Sequence, residues 1–132
     1  MNATIKIHCP LDDRGVRNLG NIFASRGALI RRSLGLPEGR PLAFSVVGDD
    51  ISFDWDIDAD MAAPAAALLA GICQLAVRSK WISAKEAASE NERYAFRVFL
   101  IRIGLSGPEH KWARTALLKN LQGDSAYIHG RP

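Results

Sequence analysis

Leu42-Ala43-Phe44-Ser45-Val46-Val47-Gly48-Asp49-Asp50-Ile51-Ser52-Phe53-Asp54-Trp55-Asp56-Ile57 is the stretch whose reading decides the fold. Leu42, Phe44 and Val46 alternate along one arm, and Ile51, Phe53, Trp55 and Ile57 along the other. Period two is the signature of half-buried strands. Gly48-Asp49 between the arms suits a two-residue II′ turn, which takes glycine first. That turn pairs Val47 with Asp50 and sets Val46 opposite Ile51, Phe44 opposite Phe53 and Leu42 opposite Trp55. All three of the latter pairs are apolar and share a face. A slip of one residue would place aspartates opposite them, so pattern and turn specify one register.

The same alternation explains the acidic run Asp49, Asp50, Asp54, Asp56, Asp58 and Asp60. With Phe53, Trp55 and Ile57 turned to the core, Asp54, Asp56 and Asp58 face water. These three aspartates match positions 1, 3 and 5 of a calcium-binding EF-hand loop, but Ala59 stands where glycine is required and Ala65 where the bidentate glutamate is required. A solvated strand face is the expectation, with no metal site.

Outward from the hairpin, Ala3, Ile5, Ile7 and Cys9 alternate as a third strand that ends at Pro10. Residues 12–35 change to helical period through Val16, Leu19, Phe23, Ile30 and Leu34, with Asp12 or Asp13 as cap. Gly27 marks either a close approach or a break. Residues 60–79 read as an alanine-rich helix burying Met61, Ala65, Leu68, Ile72 and Leu75. Residues 80–88 are a connector. Ser89-Glu90-Asn91-Glu92 has capping-box spacing, with Ser89 as cap. The helix that follows, to about Gly104, is expected to bury a stripe of Tyr94, Val98, Ile101 and Leu105. Ala95, Phe96, Phe99 and Leu100 widen that stripe and make this the central helix. After the Ser106-Gly107-Pro108 break, a last helix to Gln122 is expected to bury Trp112, Ala116, Leu117 and Leu121, with Gly123 as its cap. The expectation is one α+β domain over residues 1–132 with a loose tail from 124. In it the N-terminal strand and the hairpin form a three-stranded sheet, and about four helices pack on one face, in the order βαββααα.

Length and charge narrow the function without naming it. A chain of 132 residues, 48% hydrophobic and 23% charged, can bury a core without disulfides or metal. The net charge of +3 is too small to argue for nucleic acid alone. Its distribution is uneven: residues 1–40 carry +4, residues 41–77 carry −6 and residues 78–132 carry +5. The start Met-Asn-Ala-Thr shows no secretory leader, so a cytoplasmic location with reduced Cys9 and Cys73 is expected. The uncharged run Met61–Val77 is short for a membrane span and contains Pro64, so a buried helix is expected and no membrane partner. His8, His110 and His129 have no ligand spacing, Gly104–Gly107 lacks the lysine of a phosphate loop, and Ser25 and Ser106 have no identifiable base. No catalytic residue, metal or cofactor is assigned.

The arginines are the functional lead. Arg93 and Arg97 lie one turn apart, as do Lys111 and Arg114, so each pair shares a helix face. Arg97 and Arg102 sit in an apolar helix, where an arginine either pairs with a carboxylate or lines a site. The helix–break–helix of residues 93–122 also fits a helix-turn-helix read through Lys111, Trp112 and Arg114, although any two consecutive helices share that outline.

Three groups of residues carry a resemblance. They are Arg17-Asn18-Leu19 with Ser25-Arg26-Gly27-Ala28-Leu29-Ile30, Glu90-Asn91-Glu92-Arg93-Tyr94-Ala95-Phe96-Arg97, and Lys111…Arg114…Leu118-Lys119-Asn120-Leu121-Gln122-Gly123. In these groups the chain resembles small uncharacterised proteins of bacterial integrative mobile elements, some labelled virulence-related. The resemblance implies an accessory role and adds weight to Arg26, Arg97, Lys111, Arg114 and Asn120 as candidate anion- or partner-binding residues. It implies no activity. The leading expectation is a non-enzymatic interaction protein whose partner is another protein or a second copy of itself. A nucleic-acid binder using the basic helices is the first alternative, and an enzyme on a phosphorylated or anionic substrate the second.

Overall fold

The hairpin forms in the register the turn dictates. In the computed structural model, which describes residues 3–86 and 91–123, Val47 pairs with Asp50 and Val46 with Ile51. Gly48 has φ of 61°, and no non-glycine residue among those described has positive φ, so Asp49 stays in the ordinary region as a II′ turn requires. Strand β2 covers only Ser45–Val47 and β3 covers Asp50–Trp55. The ladder stops at Ser45, short of Phe44 and Leu42, and the Trp55 indole N–H takes the Ala43 carbonyl at 2.8 Å. Phe44 still lies against Phe53, with ring centroids 6.3 Å apart.

Strand β1, Ala3–His8, pairs antiparallel with the other edge of β3, giving the order β1-β3-β2. The central strand is therefore β3, and its alternation is complete: Ile51, Phe53 and Trp55 are buried while Asp54 is exposed. Val46 is 40% exposed because β2 is an edge strand. The outer face pairs across strands, through Thr4 to Asp54 at 2.8 Å and His8 to Asp50 at 2.9 Å, and Arg40 bonds Asp56 beside it.

Helix α1, Asp13–Leu34, is continuous through Gly27, and the Asp12 side chain caps it by accepting from the Gly15 N–H at 2.7 Å. Its Phe23 ring stacks edge-on against Phe53 and Trp55 at 6.0 and 5.5 Å. A 3₁₀ turn at Ala59–Met61 leads into α2, Ala62–Arg78, which buries Met61, Ala65, Leu68, Ile72 and Leu75 as its period demands. By length and composition Ala59–Arg78 could cross a membrane, yet over half of its apolar window lies inside the fold. Helix α2 packs against α1, α4 and β1 and is the hub of the core. The order is βαββααα and the class α+β.

The last two helices bury part of the faces their spacing suggested and expose the rest. Helix α3 runs Glu92–Arg102 and buries Phe96, Phe99 and Leu100, with Ile103 just beyond. Val98 is 47% and Ile101 39% exposed, so these two members of the expected stripe lie on the outer face, while Leu105 and the widening Phe96, Phe99 and Leu100 are buried as expected. The larger aromatic rings take the inside, where they remove more apolar area from water. Asn91, not Ser89, caps α3: its side chain accepts from the Tyr94 N–H at 3.0 Å, and Ser89 lies outside the described residues. Helix α4, Lys111–Leu118, follows a 3₁₀ turn at Pro108–His110 and buries Ala113, Leu117 and Leu118, while Trp112 is exposed at 52%. Gly123 does not cap it, since α4 ends at Leu118; a Cβ at Gly123 would instead collide with the Asn91 side chain. The tail expected from residue 124 lies outside the described residues.

Buried polar side chains of α1 hold the helix ends together. Asn18 donates to the carbonyls of Ala76 and Ser79 at 3.1 and 2.8 Å, and Asn21 to that of Ile82 at 2.9 Å. Ser33 donates to Leu117 O at 2.6 Å. Carbonyls at a helix C-terminus have no partner within their own helix, and Asn18 and Ser33 supply one at the ends of α2 and α4, while Asn21 ties down the connector after α2.

Candidate anion-binding site

Between α3 and α4 lies an open groove of about 500 Å³ lined by Arg93, Arg97, Lys111, Arg114, Thr115, Leu118 and Lys119. Five of the seven carry positive charge, and among the described lining residues there is no carboxylate, imidazole or thiol. Each helix contributes its pair at one-turn spacing, and the packing of α3 on α4 brings both pairs to one groove.

The cations are held in different ways. Arg114 donates from one nitrogen to the carbonyls of Leu105 at 2.9 Å and Gly107 at 2.7 Å, closing the turn between the helices. It is a structural brace as well as a wall of the groove. Arg93 is anchored through its backbone N–H to Gln122 O at 2.9 Å, yet its Nε is buried with no hydrogen-bond partner among the described residues. An unmet buried donor costs about 1–3 kcal/mol, more for a charged group. Arg97, Lys111 and Lys119 form no ion pair among the described residues and bring three positive charges to the groove. Such a wall attracts an anion with several oxygens.

Of the candidates read from sequence, Arg97, Lys111 and Arg114 meet in this groove. Arg26 does not: it belongs to a separate cavity with Arg102. Asn120 has a structural duty, donating to Ser33 O at 3.2 Å and so fastening the end of α4 to α1. Arg93 and Lys119 complete the groove although sequence reasoning left them out of the candidate set; the one-turn spacing of Arg93 from Arg97 was the available signal. Other arginines are absorbed by structure, Arg31 by the Arg40 carbonyl, Arg32 by Glu92 and Arg40 by Asp56. The linker between α3 and α4 spans residues 103–110, longer than the three- or four-residue turn of a helix-turn-helix.

Compared with known proteins, the chain matches no family model, no curated protein and no solved structure. The functional reading therefore rests on the chemistry of its own residues.

Proposed function

We propose that this chain is a non-enzymatic binding protein that holds the phosphate backbone of a nucleic acid in the α3–α4 groove. The observation that carries the reading is the convergence of five basic side chains without a single acid among the described lining residues. A second feature supports it: Trp112, next in sequence to Lys111, is exposed rather than packed inward, so an aromatic face stands ready for an unstacked base. The groove reads charge and shape, which predicts weak sequence preference. An accessory role in the cytoplasm, as the resemblance implies, belongs to the same proposal.

The test is fluorescence anisotropy of labelled single-stranded and duplex oligonucleotides over a salt series. Binding should weaken linearly on a log–log plot. Each of Arg97→Gln, Lys111→Gln and Lys119→Gln should flatten the slope by about 0.7 units on single strands or about 0.9 on duplex. Arg114 is unsuited to this test because its loss also opens the turn after α3. Absence of binding at low salt, or a slope unchanged in all three variants, would defeat the reading. A protein partner is the second reading, favoured by the exposed Val98 and Ile101 on the outer face of α3. It expects dimers or complexes by light scattering that are indifferent to the three substitutions.

A further inference from the structure

A second cavity, independent of the α3–α4 groove, opens between α1, α2, α3 and the connector after α2. It encloses about 550 Å³, within the size range of small-molecule sites, and its walls include Ser25, Arg26, Trp81, Lys85, Phe99 and Arg102. Arg26 is half-buried on α1, and its guanidinium carbon lies 5.2 Å from the centre of the Phe99 ring. Arg102 approaches from α3, and Arg78 of α2 bonds the Arg102 carbonyl at the rim. Burial lowers the Arg26 pKa, and the neighbouring Arg102 charge lowers it further. Glu86 lines the same cavity, yet no ion pair joins it to Arg26 or Arg102 among the described residues. Two guanidiniums, one half-buried and one exposed, thus line one cavity without an engaged carboxylate among the described residues.

The cavity's chemistry points to an occupant. Three cations, Arg26, Lys85 and Arg102, against the one anion Glu86 leave a charge of +2. That matches a phosphate monoester, which carries about −1.5 to −2 at neutral pH, better than a single carboxylate. Guanidiniums present forked donors suited to phosphate oxygens. The Ser83 hydroxyl oxygen accepts from the Lys85 N–H at 3.1 Å, which leaves its hydrogen to donate. At the mouth, Trp81 is 74% exposed, the most exposed large apolar side chain among the described residues. An indole in that position offers a face for a planar ring. We propose that this cavity binds a mononucleotide, its phosphate between Arg26 and Arg102 and its base against Trp81.

The experiment is calorimetric titration of the full chain with AMP, adenosine and inorganic phosphate, with tryptophan fluorescence read in parallel. AMP should bind saturably at one site and quench fluorescence, and the quench should vanish in Trp81→Phe. Arg102→Gln should weaken AMP at least tenfold. Arg102 is exposed, so this variant keeps its fold even where Arg26→Gln, which loses the contact with Phe99, does not. Adenosine and inorganic phosphate should each bind at least tenfold more weakly than AMP. Adenosine binding as tight as AMP, phosphate binding as tight as AMP without a Trp81 response, or no saturable binding would each overturn the proposal. The losses in Trp81→Phe and Arg102→Gln assign binding to this cavity, since neither residue lines the α3–α4 groove.

Discussion

Cys73 shows how far a single side chain's setting governs its chemistry. It sits fully buried on α2 beside Cys9 of the strand segment, and its pKa is pushed up to about 12, first by burial and then by Cys9. Because the folded value lies above the unfolded one, the neutral thiol's stabilisation is complete below the unfolded pKa near 8.5. It is lost as pH rises toward the folded value, since the unfolded chain sheds its proton first. Urea midpoints should therefore fall between about pH 9 and pH 11 more steeply in the wild-type protein than in Cys73→Ala. Parallel curves would mean that the thiol is not shielded. Thiol-specific reagents at neutral pH should label Cys73 only as fast as the core opens. At the same scale, Asn91→Ala should cost about 1 kcal/mol by removing the cap on Tyr94 N–H, measured by chemical denaturation.

Among the elements, the hairpin was legible in the sequence and the inner faces of α3 and α4 only in part. In β3 the two faces differ sharply, apolar against aspartate, so only one register satisfies both. In α3, apolar residues cover most of the circumference, and Tyr94-Val98-Ile101 competes with Phe96-Phe99-Leu100 for the inside. Periodicity alone cannot choose between them; the neighbour does, and that neighbour is fixed by the linker at residues 103–110. Trp112 misled for a related reason, since a large apolar ring was assigned inward although Ala113 and Leu117 define the buried face of α4. The site follows the same rule. Each basic pair was visible as a one-turn repeat, whereas the meeting of the pairs depends on how α3 lies on α4. The two faces of α3 can be told apart by substitution: Leu100→Ala should cost about 2–5 kcal/mol, while Val98→Ala should stay within about 0.5 kcal/mol. Comparable losses at both positions would return the expected stripe to the core. Gly71→Ala tests the packing from the other side, since a Cβ there would meet Ile103 O at 2.8 Å; overpacking of this kind costs about 1–3 kcal/mol.

At the scale of the whole molecule, the uneven charge along the chain becomes uneven charge in space. The six aspartates of residues 49–60 lie on the sheet and the turns beside it, whereas the basic groove lies between α3 and α4. None of the six aspartates lines the groove, and the hub helix α2 packs against both β1 and α4. Several of the acids are already engaged: Thr4 bonds Asp54, His8 meets Asp50, and Arg40 holds Asp56. At physiological ionic strength the field of an exposed charge decays over about 8 Å, so the acidic face exerts little force across the helical layer. The groove therefore presents more positive potential than a net charge of +3 suggests. This has a measurable consequence for nucleic-acid binding. Asp58 is exposed and forms no ion pair among the described residues, so Asp58→Asn changes net charge without touching a partner. It should leave both affinity and salt slope unaltered at physiological salt, although Lys111→Gln changes net charge by the same single unit and should flatten the slope. At ionic strengths near 0.01 M, where screening extends to about 30 Å, Asp58→Asn should begin to raise the association rate. If instead the two substitutions shift binding by equal and opposite amounts at physiological salt, the protein meets a polyanion through its overall charge, and the groove has no special part in it.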